Sequence, residues 1–163
     1  MTDVNEKTLD PVAVASGSGE ALWWFGCLAE IKVTAEQTGG KLSVVEITEP
    51  PGASAPLHVH HREDEGFWIL EGSAKFEVGD TTFDAGPGDW LFGPRDVPHS
   101  YEVGPDGCRM VFVLTPGGFE DAIRLMSTPA SEHALPPESE EPPDLSELGD
   151  QIAAFGCEIL EQS

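Results

Sequence analysis

Basic residues are scarce. The 163-residue chain holds 8 Lys and Arg against 30 Asp and Glu, a formal charge of −22. No Lys or Arg follows Arg124, whereas nine acids run from Glu132 to Glu161. Such a surface repels phosphate backbones and anionic lipid, which excludes nucleic acid and membrane surfaces as partners. Arg62, Arg95 and Arg109 stand apart, so no basic cluster grips a phosphate. Thiols are few as well. Cys27, Cys108 and Cys157 are an odd number without Cys-x-x-Cys spacing, which argues against a disulfide framework or a zinc ribbon and for reduced buried thiols. No apolar run approaches the ~20 residues that span a bilayer, and MTDVNEKTLDPVAVASGSGE holds no apolar leader core. A cytoplasmic protein is expected. DNA-reading motifs and repeats of 20 to 50 residues are also missing.

What is present suffices for one domain with a core: the chain is 39% apolar. Residues 1–20 are polar, small and aperiodic and read as a flexible arm, with Val12 and Val14 offering an added edge strand. From Ala21 to Pro116 the chain reads as about ten short strands punctuated by turn signals, the pattern of a sandwich or barrel. Ala21–Phe25 and Cys27–Thr34 are β-prone. Gln37-Thr38-Gly39-Gly40 signals a hairpin into Lys41–Thr48, Gly72 marks a turn after Glu65–Leu70, and Gly79-Asp80 is a two-residue hairpin loop. His99–Val103 and Arg109–Leu114 close the run. Residues 117–163 form an extension. Phe119, Ile123, Leu125 and Met126 have helical spacing. Ser127–Pro143 is an acidic, Pro-rich exposed connection. Asp144 caps a last helix, with Glu147 at the capping-box position and Leu145, Leu148, Ile152 and Phe155 on one apolar face.

The chemistry concentrates in GASAPLHVHHREDEGFWILEG, Gly52–Gly72. On a strand, His58 and His60 point the same way, and Glu65 returns after a charged turn. Two neutral imidazoles and a carboxylate suit a divalent transition metal. His61 faces away, and Glu63 and Asp64 read as a solvated turn. A fourth donor is on offer where Pro94 and Pro98 frame the loop to His99. Period-2 counting places Phe67 and Ile69 beside Glu65 and Tyr101 beside His99 as pocket wall. Phe112 shares a face with Met110, opposite Val111 and Val113, and parity leaves open which face is inner.

Both stretches resemble the two motifs of the cupin superfamily. Gly52, His58, His60, Glu65 and Gly72 fit every position of the first. Gly88, Pro94 and His99 fit the second, where Asp96 replaces the family glycine and Val103 the asparagine. The resemblance spans about residues 40–115. It implies an all-β fold, a double-stranded β-helix or jelly-roll barrel, with short C-terminal helices. It also implies a metal site of His58, His60, Glu65 and His99. That donor set accepts Fe, Mn, Co, Ni, Cu or Zn. The single-domain layout, TPGGFEDAIRLM and the acidic tail resemble small bacterial quercetin-dioxygenase-like cupins. A metal-dependent dioxygenase for a small aromatic or enolisable, flavonol-like substrate is implied, with Glu65 both ligand and catalytic base. A non-catalytic metal- and metabolite-binding cupin, or an isomerase or cyclase of the same fold, are the other readings. Small cupins commonly pair, and the Trp23-Trp24-Phe25 run and last helix add apolar surface, so a homodimer is expected.

Overall fold

The aromatic run after Ala21 forms the strand its side chains favour. In the computed structural model, which describes residues 8–137 and 144–161, β1 (Glu20–Trp24) and β2 (Cys27–Val33) pair antiparallel. Phe25 and Gly26 turn between them, both with positive φ, as a tight hairpin of this hand requires. The next junction is the expected hairpin, because β2 pairs antiparallel with the returning strand. Within it Gln37-Thr38-Gly39-Gly40 is not a tight turn but completes a single helical turn, α1 (Ala35–Thr38). Thr34 and Gln37 form a reciprocal capping box and Gly39 closes the turn in the left-handed region, so local side chain–backbone bonds outweigh the Gly-Gly signal. In β3 (Ser43–Glu49) burial alternates strictly, with Ser43, Val45, Ile47 and Glu49 inward.

β4 (Ser54–His60) carries the histidine pair, and β5 (Asp64–Val78), β6 (Thr81–Ala85), β7 (Trp90–Gly93) and β8 (His99–Thr115) follow. β5 and β8 are each one long strand where two short ones were expected. Gly72 does have φ +73°, yet the chain does not turn back there: the ladder to β8 shifts register at Gly72/Ala74 and continues. This is a β-bulge, and a Cβ at Gly72 would lie 1.9 Å from the Gly107 carbonyl oxygen. β8 is the central strand. β5 pairs with it from Val78↔His99 to Asp64↔Thr115, while its other edge is shared by β4 near His99 and by β3 from Cys108 onward. One strand serving three partners rolls the sheet into the jelly-roll barrel. Phe67, Ile69, Phe76, Ile47 and Met110 fill it with at most 1% exposure. Met110 and Phe112 face inward, which settles the parity of that strand.

The C-terminal segment folds back on the barrel. In α2 (Glu120–Leu125), Ile123 is buried beside Phe119, but Leu125 is exposed, so only part of the helical spacing marks a core face. β9 (Thr128–Pro129) adds to the edge of β1. Residues 138–143 of the Pro-rich connection lie outside the described residues. In α3 (Leu145–Ala153), Asp144 accepts from the amides of Ser146 and Glu147 at the N-cap, and Leu148 and Ile152 are buried against the chain's own barrel. The side chain of Leu145 lies outside the described residues. After Gly156 the chain forms β10 (Cys157–Ile159), which pairs with β4 in the register Cys157↔His60 and Ile159↔His58. Residues 8–19 form neither helix nor strand, and Val12 and Val14 are exposed. No helix among the described residues is long and apolar enough to cross a membrane.

Candidate metal centre

β4, β5 and β8 bring four donors together. His58 and His60 stand two residues apart on β4, Glu65 opens β5, and His99 begins β8 directly across from His58. One ligand atom from each of the four lies within 4.8 Å of the other three. Glu65 Oε2 is 3.0 Å from His99 Nε2 and 3.5 Å from His60 Nε2. Donors at 2.0–2.2 Å from a common metal sit about 3–3.5 Å apart, so these separations match the edges of a coordination polyhedron.

The outer contacts orient the donors. His58 Nδ1–H donates to the Pro56 carbonyl at 2.7 Å, and His99 Nδ1–H donates to that of Val97 at 3.2 Å. A carbonyl can only accept, so each ring keeps its Nε2 lone pair for the centre. His60 Nδ1–H is held instead by the Glu63 carboxylate at 3.3 Å. Glu63 is only 4% exposed, which corrects its reading as part of a solvated turn. Asp64 accepts from the Arg95 guanidinium and amide, so Arg95 is committed to a carboxylate, as is Arg109 to Glu46 and Glu71.

Electrostatics point the same way. Burial pushes the His58 imidazolium down, and the neighbouring His99 and His60 add to it, to about 4. His58 is therefore a neutral ligand-competent ring at neutral pH. Burial alone would raise the Glu65 carboxyl, but the three histidines around it hold it well below the usual carboxylate range. Burial opposes charge on His60, yet Glu65 foremost, with Cys157 and Glu63, raises it. Two buried carboxylates facing three imidazoles form a site that favours a cation. Donor set, spacing and outer contacts thus fit one divalent transition metal.

His58, His60 and Glu65 form part of the wall of a cavity of about 400 Å³ that is mostly apolar, with His99 buried behind them. Phe67, Tyr101 and Phe112 line it, whereas Ile69 is buried in the core outside the lining. His61 is turned outward, where Asp96 and Glu158 accept its ring N–H groups at 2.6 and 3.4 Å. Asp96 itself has φ +63°, so an aspartate holds the left-handed turn where the family places glycine. Sequence reasoning missed four neighbours of the site. Phe119 packs edge-on against His60 at 4.6 Å between ring centroids, and Cys157 Sγ lies 3.8 Å from His60 Nε2. Neither carries a local signal, because both arrive from the C-terminal segment. Glu63 gave none either, but Glu49 did: it shares parity with Val45 and Ile47.

Residues 45–115 match the cupin domain family. The barrel is a cupin domain. It is 32% identical over 126 residues to the quercetin 2,3-dioxygenase of Bacillus subtilis, covering 77% of this chain and 37% of that protein. It is 30% identical over 101 residues to the oxalate decarboxylase of the same organism, covering 59% and 26%. The cupin therefore spans about a third or less of the length of these relatives. Among solved structures, an RmlC-like cupin from Shewanella frigidimarina is similar with TM-score 0.58 at 19% identity, covering 70% of this chain and 99% of that one. Oxalate decarboxylase from Lactobacillus farciminis follows the same fold with TM-score 0.59 at 23% identity, covering 69% and 35%.

Proposed function

We propose that this cupin is a metal-dependent dioxygenase acting on a small aromatic or enolisable, flavonol-like substrate held in the barrel. The observation that carries the reading is that three of the four clustered donors, His58, His60 and Glu65, line an aromatic cavity of about 400 Å³. Such a volume is ample for one planar ring system. The resemblance to a quercetin 2,3-dioxygenase supports the substrate class. A divalent transition metal held by His58, His60, Glu65 and His99 would supply Lewis acidity toward a substrate oxygen and a centre at which dioxygen chemistry takes place. The chain's own residues do the rest. Phe67, Tyr101 and Phe112 confine a planar ring and exclude water. Glu65, ionised in its buried setting, accepts the acidic hydroxyl proton of the substrate. The paired outer contacts of the histidines keep their rings from turning as that proton arrives.

Oxygen uptake with a panel of flavonols and catechols tests this reading. Wild type should consume dioxygen with at least one member. Glu65→Gln should keep part of its metal through the three histidines, yet lose about 100- to 10,000-fold in turnover per bound metal. Unchanged turnover per metal would remove the base role. Tight binding without oxygen uptake across the panel would replace the oxygenase with a non-catalytic binding protein.

A further inference from the structure

A second polar group faces the same cavity and the metal cluster does not use it. Glu49 ends β3, inward by the alternation that buries Val45 and Ile47, and is 5% exposed. Its Oε1 accepts from the Tyr101 hydroxyl at 2.5 Å and lies 3.7 Å from the Cys27 thiol. Its Oε2 is buried with no hydrogen-bond partner. A buried carboxylate oxygen left unpaired is costly, and a bound ligand is one partner that would complete it. Burial pushes Glu49 up to about 7, against the hydrogen bonds from Tyr101 and Cys27 that favour its ionised form. Trp24, opposite Cys27 in the β1–β2 ladder and also lining the cavity, has a buried indole N–H that is likewise unpaired.

The geometry points to Glu49 as a substrate-anchoring residue: its free oxygen accepts a hydrogen bond from a hydroxyl on an aromatic ligand whose other end reaches the His/Glu cluster. Tyr101, which positions Glu49, stands two residues beyond His99 on the same face of β8, about 7 Å along the strand. Glu49 and the cluster residues His58, His60 and Glu65 thus line one cavity, whose aromatic walls suit a planar framework between them. A ligand with two oxygen functions across such a framework, a hydroxylated polyphenol rather than a singly substituted one, satisfies both. This rests on the oxygenase reading only for what the far end does; the anchor itself is a binding property.

Its test is binding without turnover. 2-Naphthol and 2-methoxynaphthalene share shape and apolar surface, but only the first donates a hydrogen bond. Their affinities for the full-length protein as purified are measured by ligand fluorescence at pH 8, above the Glu49 value of about 7. Wild type should prefer 2-naphthol by about tenfold. Glu49→Leu should abolish that preference while binding 2-methoxynaphthalene at least as well, which also reports an intact cavity. Glu49→Gln, whose amide oxygen still accepts, should keep part of it. A preference that survives in Glu49→Leu would assign the hydroxyl to the metal cluster and overturn the anchor. So would equal affinities, or no binding, in wild type. Absence of oxygen uptake with flavonols would sink the oxygenase reading and leave this result standing.

Discussion

Glu49 and Glu65 are both buried glutamates in one cavity, and their surroundings push them in opposite directions. Glu65 faces three imidazoles and is held low, whereas Glu49 faces a hydroxyl and thiols and is pushed up to about 7 by burial. The groups around Glu49 stay neutral through the physiological range. The Tyr101 hydroxyl and Cys27 thiol are raised by burial and by Glu49 itself, and Cys108 is raised to about 11. Because the folded value of Glu49 exceeds the ordinary 4.5, the folded state binds the proton more tightly. Its contribution to stability is complete below about pH 4.5 and is lost as pH rises through about 7. A shift of this size corresponds to about 3 kcal/mol. Glu49→Gln should therefore gain on wild type by up to about 3 kcal/mol between pH 5 and 8.5 in urea unfolding, with all other titrations cancelling in the difference. Parallel stability profiles would show that Glu49 titrates normally.

At the scale of elements, legibility followed the range of the interactions. The His58–His60–Glu65 and Pro94–His99 spacings are readable because two-residue alternation and a proline-bounded loop are local, and the jelly-roll expectation rests on the cupin resemblance those spacings carry. Gly72 has the positive φ that a glycine turn signal allows, yet whether such a residue turns or bulges a strand depends on the partner, here Gly107 on β8. β10 was invisible: three residues after an acidic helix become a strand only because β4 offers an edge. The outer face of β5 and β7 is another feature that register alone reveals. Trp68 pairs with Trp90, and Phe92 sits opposite Gly66, all three at least 50% exposed. We propose that this aromatic face, more than the Trp23–Phe25 run, joins two copies of the chain as a homodimer. Light scattering should give a dimer at micromolar concentration, and Trp68→Glu with Trp90→Glu should yield a folded monomer. A wild-type monomer, or a dimer indifferent to both changes, would contradict it.

The whole molecule is an acidic shell around a candidate metal centre. With 30 acids and 8 bases, its field draws cations and repels anionic polymers. The barrel confines three imidazoles and a carboxylate at one point. Confinement depends on distant parts of the chain: β4, β5 and β8 supply the donors, Glu63 fixes His60, and the C-terminal strand closes over them. Elemental analysis of wild type and His99→Ala, both purified without added metal, tests this account most directly. It predicts about one divalent transition metal per wild-type chain and a sharp loss in His99→Ala, because one of the four donors is gone. Full occupancy in His99→Ala, or a wild type that takes up no transition metal when one is supplied, would contradict it.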